Sequence, residues 1–159
     1  MYLRRSKTVT TTIRRAPAFF APGNKVNVLT PPERPIVRSY RDLIVWQRGV
    51  ELAVETYRLT DRLPLPERFG LQAQARRAAV SIPANIAEGV GRSTTREYLR
   101  SLTIANGSLK ELETLLTLGL ELQYYGTDDA RESFRLAEEV AKLLGGIIRA
   151  LRKRENRTR

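Results

Sequence analysis

Two side chains are missing from this sequence altogether. Without cysteine there are no disulfides, no thiolate nucleophile and no cysteine-based metal site. Without histidine there is no Ser-His-Asp triad, no imidazole ligand and no group that ordinarily titrates near neutrality. Long apolar runs are missing too. The longest candidate, Leu115 to Leu122, is broken by Thr117, Gly119 and Glu121, far short of the roughly 18 apolar residues of a membrane helix. The N-terminus has no continuous apolar core before a cleavage site, so it is a poor secretory signal. Its acid-poor, Arg-rich composition is shared with organelle transit peptides, but a soluble cytoplasmic protein is the better expectation. No G-K-[ST] string exists, and the lone G-x-G at Gly89-Val90-Gly91 follows no strand, which excludes a P-loop and a dinucleotide loop.

What is there suffices for one domain: 159 residues, 42% of them hydrophobic. The net charge of +11 is unevenly placed. Residues 1–39 hold eight basic residues against one acid, and residues 152–159 hold five against one, whereas 40–151 hold fifteen of each sign. The stretch between the tails is neutral but polarised. Residues 62–100 carry seven basic residues and three acids, and residues 101–151 carry five and eight. A pI near 10.7 suits a nucleic-acid binder, although the predominance of Arg over Lys also follows from a GC-rich genome.

Residues 1–39 contain Pro17, Pro22, Pro31, Pro32 and Pro35 and no sustained period, which predicts a flexible basic arm. From Tyr40 the period is helical. Leu43, Trp46, Val50, Ala53 and Tyr57 define one face of a first helix that stops before Pro64. Pro66 and Glu67 suit the first turn of a second helix running to about Val90. Pro83 is expected to bend that helix, and Gly89 and Gly91 to end it. Thr94 and Glu97 form a T-x-x-E capping box for a third helix reaching about Tyr125. Gly126 would stop it, with Thr127, Asp128 and Asp129 opening a fourth helix whose inner face carries Phe134, Ala137, Ala141, Leu144, Ile148 and Leu151. The expected architecture is all-α, an antiparallel up-down-up-down four-helix bundle over 40–152, with a basic tail at 153–159. On the third helix Leu109, Leu112, Leu116 and Leu120 form one apolar stripe and Leu115, Leu118 and Leu122 a second. The second stripe points to a subunit interface, or else to cover by another part of the same chain.

Two polar constellations stand out. Gln74, Arg77, Ser81, Asn85 and Glu88 share one face of the second helix, and Ser108 and Glu111 lie one turn apart on the third. Such a stripe is either a catalytic row using Glu88 and Glu111 or a hydrogen-bonded network that fixes helix register. With no histidine, no metal set and no nucleophile beside a base, the structural reading is preferred: no catalytic residue, no metal and no cofactor is expected. Arg92, Arg96 and Arg100, with Arg76, form a candidate phosphate-facing patch, with a plain solvated helix face as the alternative.

The strings Y-R-D-L-I-V-W-Q at 40–47, L-P-L-P-E-R-F-G-L at 63–71, Q-A-R-R-A-A-V-S-I-P-A-N-I-A-E-G at 74–89 and R-E-Y-L-R-S-L-T-I-A-N-G-S-L-K-E-L-E-T at 96–114 occur in order. Together they resemble the four-helix bundle protein family, the 23S rRNA intervening sequence proteins, and the related accessory variability determinants of diversity-generating retroelements. The resemblance implies a four-helix bundle in a homopentameric ring. It also implies basic surface offered, in some relatives, to RNA or DNA, to a reverse transcriptase or to a ribosome-associated partner. Its hallmark positions here are Ser81, Asn85, Glu88, Gly89, Ser108 and Glu111, to which the family assigns no catalysis. Two features depart from the family: the 39-residue arm is extra, and the bundle nets zero charge.

Overall fold

Connections as short as residues 91–94 and 122–126 force successive helices to lie antiparallel. The computed structural model describes residues 39–157. Its four long helices are α1 (Ile44–Thr60), α2 (Leu71–Val90), α3 (Thr95–Glu121) and α4 (Thr127–Arg157), with 3-10 turns at Tyr40–Asp42 and Leu65–Arg68 and no strand among the described residues. The arm expected over 1–39 lies, Ser39 apart, outside the described residues. Each helix packs on its chain neighbours, and α4 closes back on α1. The most extensive seam is α2 on α3, and the diagonal pairs do not approach at the backbone. The core between them is aliphatic. Leu52, Ile82, Ile86, Leu102, Leu109, Leu112, Leu116, Val140 and Leu144 are fully buried, each such side chain contributing about 1.5–3 kcal/mol.

The α1 face differs from the expected one. Val45, Gly49, Leu52, Thr56 and Leu59 point inward, while Trp46 and Val50 are half-buried flanks and Tyr57 is exposed. Two threonines make this possible: the Thr56 and Thr60 hydroxyls donate to the Leu52 and Thr56 carbonyls at 2.8 Å, leaving their methyls for the core. Gly49 faces the α1–α2 seam, where a Cβ would sit in ordinary contact with the Pro83 ring at 3.5 Å. Helix α2 stays continuous through Pro83.

Three helix ends also depart from expectation. Pro66 belongs to the 3-10 turn, not to α2, and Glu67 acts from a distance: its Oε2 accepts the Leu71 N–H at 2.9 Å, capping α2 from outside. Gly89 lies inside α2 and Gly91 caps it in right-handed geometry, so neither glycine is a left-handed terminator. Helix α3 stops at Glu121 rather than Tyr125. Gln123 takes φ 58°, its N–H donates to the Leu120 carbonyl at 2.9 Å and the Tyr124 N–H to the Gly119 carbonyl at 3.0 Å. That is a Schellman closure with Gln where Gly is usual. Gly126 instead precedes α4, donating its N–H to Asp129 Oδ2 at 3.1 Å. Helix α4 continues to Arg157, so the basic run from 153 to 157 is helix and not tail.

Candidate nucleic-acid interface

The topology brings the start of α1, the end of α2, the start of α3 and the end of α4 to one pole. Leu43, Val90, Tyr98 and Leu151 line a single cleft there. The elements that meet there carry cations in four separate stretches: Arg41, Arg92, Arg96 and Arg100, and then Arg152, Lys153, Arg154 and Arg157 of α4, with Arg92 and Arg154 lining the cleft itself. Only Asp42, Glu88, Glu97 and Glu155 oppose them in the same stretches. Cations in the last turns of α4 complement its dipole, whereas Arg92, Arg96 and Arg100 sit at the positive end of α3. Arg92 is tied to Glu88, one turn back. Arg96 and Arg100 are exposed, and neither pairs with a carboxylate among the described residues.

Arg76 is not brought to this patch. It sits sixteen residues before Arg92 on α2, about 24 Å along the axis. Its guanidinium bonds Asp61 Oδ1 at 2.5 Å and Thr60 Oγ1 at 2.9 Å and stacks over the Tyr57 ring at 4.6 Å. It locks α2 to the end of α1.

The polar stripe runs along the α2–α3 seam and divides into three parts. Its centre is half-buried: Ser81 and Ser108 share a hydrogen bond between hydroxyls at 2.8 Å, and Asn85 Nδ2 donates to the Ser81 carbonyl at 2.8 Å and to Ser81 Oγ at 3.0 Å. Towards one end Arg77 donates to exposed Gln74 at 2.5 Å and faces Glu111 across the seam at 3.7 Å. Towards the other, Glu88 is exposed and holds Arg92. Glu88 and Glu111 therefore face different partners and do not form an acid–base pair. The second stripe of α3 is open: Leu115 is half-buried, but Leu118 and Leu122 are 46% and 54% exposed.

Sequence reasoning missed Tyr98. Its ring sits against Gly89, where a Cβ would come within 2.6 Å of Cδ2. Burial alone raises the pKa of its hydroxyl. The carboxyls held below their usual range, Glu132 beside Arg135 and Glu138 beside Lys142, belong to ion-pair ladders on α4. Among the described residues no three acidic side chains group as a metal site, and no helix is long and apolar enough to cross a membrane.

Comparison with known families matches residues 41–146 to the 23S rRNA-intervening sequence protein family. The chain belongs to that family. A crystal structure of a protein of unknown function from the S23 ribosomal protein family, from Bacteroides thetaiotaomicron, is 27% identical. It superposes with a TM-score of 0.62, covering 66% of this chain and 98% of that one. No curated protein matches. For this member of the 23S rRNA-intervening sequence proteins, the matched segment ends at residue 146, so the basic turns of α4 beyond it lie outside the family match. Arg92, Arg96 and Arg100 lie within it.

Proposed function

We propose that this protein is a non-enzymatic oligomeric bundle that binds RNA, or a ribonucleoprotein such as a ribosomal particle or a reverse transcriptase complex, through its basic pole. The observation that carries this reading is the convergence of cations from four stretches at one end of a bundle whose helices otherwise balance their charge. Unpaired Arg96 and Arg100 suit phosphate, because their guanidinium forks have no internal carboxylate to leave. The residues on either side of the bundle, 1–38 and 158–159, add further basic charge to the two ends of the chain that leave this pole. Binding would take place in the cytoplasm.

Fluorescence anisotropy with a labelled RNA at stepped salt tests this. A chain trimmed to 40–157 should keep salt-sensitive affinity. Arg92, Arg96 and Arg100 changed to Gln should then flatten the salt slope by about 0.7–0.9 for each phosphate that is no longer neutralised. No affinity of the full chain at low salt would overturn the reading and leave a scaffold that binds proteins alone.

The open stripe of Leu118 and Leu122 supports self-association, and the resemblance makes a homopentamer the expected form. A monomer by sedimentation at micromolar concentration would exclude it.

A further inference from the structure

The cleft at the basic pole has a volume of about 390 Å³, within the range of roughly 300–1,000 Å³ usual for small-ligand clefts. Its wall is of two kinds. Leu43, Val90 and Leu151 supply apolar surface, while Arg92, Ser93 and Thr95 supply polar rim. Tyr98, an aromatic ring with a hydroxyl, is part of the same wall. The Gly89 notch seats that ring, and the hydroxyl makes no hydrogen bond among the described residues. An aromatic surface with an unpartnered hydroxyl, set in an apolar recess and rimmed by cations, matches a planar heterocycle attached to a phosphate. Duplex RNA keeps the faces of its bases stacked inside the helix, whereas single strands splay bases onto aromatic side chains.

We propose that this cleft receives one unstacked nucleotide of single-stranded RNA, its base in the recess beside Tyr98 and its phosphate towards Arg92. The proposal deepens the nucleic-acid reading and rests on it. The pole as a whole attracts backbone without regard to strandedness, and the cleft makes the protein prefer single strands. Ser93 is exposed on the rim, so Ser93→Trp fills the cleft without disturbing the core or the net charge.

The full-length chain is titrated with a fluorescein-labelled uridine octamer and with an RNA duplex of equal length at 0.1 M salt. In parallel, adenosine monophosphate is titrated against the 15N-labelled protein. The octamer should bind about tenfold more tightly than the duplex. Ser93→Trp should remove that preference by weakening the octamer about tenfold while leaving the duplex within about twofold. Tyr98→Phe, which keeps the ring and hence the fold, should weaken the octamer by about two- to fivefold and leave the duplex unchanged. The monophosphate should shift the amides of Ser93, Thr95 and Tyr98. Equal affinity for both RNAs, unmoved by Ser93→Trp, overturns the cleft while the RNA reading stands. Absence of affinity for either RNA overturns the RNA reading. The cleft then falls too if the monophosphate shifts nothing, and survives as a nucleotide site if those amides move.

Discussion

The two poles of the bundle are made of the same parts, two helix starts and two helix ends each, yet they use charge in opposite ways. At the pole formed by the end of α1, the start of α2, the end of α3 and the start of α4, charges join separate elements. Arg62 bonds Asp129 across 67 residues at 2.7 Å, Arg76 bonds Asp61 at 2.5 Å, and the Tyr124 hydroxyl donates to Glu67 at 3.0 Å. Its cleft, of about 490 Å³, is lined by Glu121 and Tyr125 and by no cation. At the other pole Arg96 and Arg100 make no ion pair among the described residues. The first pole closes the fold, although exposed pairs of this kind contribute only about 0–1 kcal/mol each. The second carries charge that the fold does not need, and surplus charge is what a polyanion can use.

Charge inversion is the harshest test of that contrast. Arg96, Arg100 and Lys153 changed together to Glu should weaken RNA binding about a hundredfold at 0.1 M salt, as the forfeit of counterion release at three phosphates predicts. The same change at Arg62, Arg68 and Arg131 should leave affinity within about threefold in the same anisotropy assay. Comparable weakening at both poles would erase the distinction.

Packing separates the poles next. A Cβ on Gly119 would lie 2.3 Å from the Tyr125 hydroxyl, which donates to the Leu116 carbonyl at 2.8 Å. Gly119→Ala should therefore cost about 2 kcal/mol by chemical denaturation. Gly146 on α4 meets nothing within 4 Å, and Gly146→Ala should stabilise by about 0.5–1 kcal/mol. Along the seam between the poles, Asn85→Leu should cost about 1–2 kcal/mol by removing the donor to the Ser81 carbonyl and hydroxyl. Exposed Glu88→Leu should change stability by less than about 0.5 kcal/mol. A further effect is alkaline. Burial pushes the Tyr125 hydroxyl from its ordinary 10 up to about 12. The unfolded chain thus ionises first: the contribution is whole below pH 10 and is lost as pH rises to about 12. Tyr125→Phe should show a shallower fall of the urea midpoint over that window.

The helices and their order were legible because the 3.6-residue period is strong from Tyr40 onward, and Thr94 marked the start of α3 correctly. Even there only half of the capping box forms: the Thr94 hydroxyl accepts the Glu97 N–H at 3.2 Å but spends its own proton on the Glu97 carboxylate at 2.8 Å. Periodicity alone misplaced the inner face of α1, because Thr56 and Thr60 count as polar until their hydroxyls are satisfied by their own helix. The end of α3 was hidden in Gln123, a residue with no bias for positive φ, beside a glycine that draws the eye. The Ser81, Asn85 and Ser108 cluster was legible from spacing on two helices. The basic pole was only partly so. Arg92, Arg96 and Arg100 are local in sequence, but their meeting with the end of α4 depends on how many helices intervene, and Tyr98 looks like any aromatic on an amphipathic helix.

Parity has a further consequence. A bundle with an even number of antiparallel helices returns the chain to the end where it entered, so both flanking segments are tethered to the pole that carries the unpaired arginines. If this pole binds a polyanion as proposed, the basic charge of both flanking sequences is joined to the chain at the pole that engages it. One helix more or fewer would strand the two flanks at opposite ends, and the same residues would bind as unlinked, weak sites.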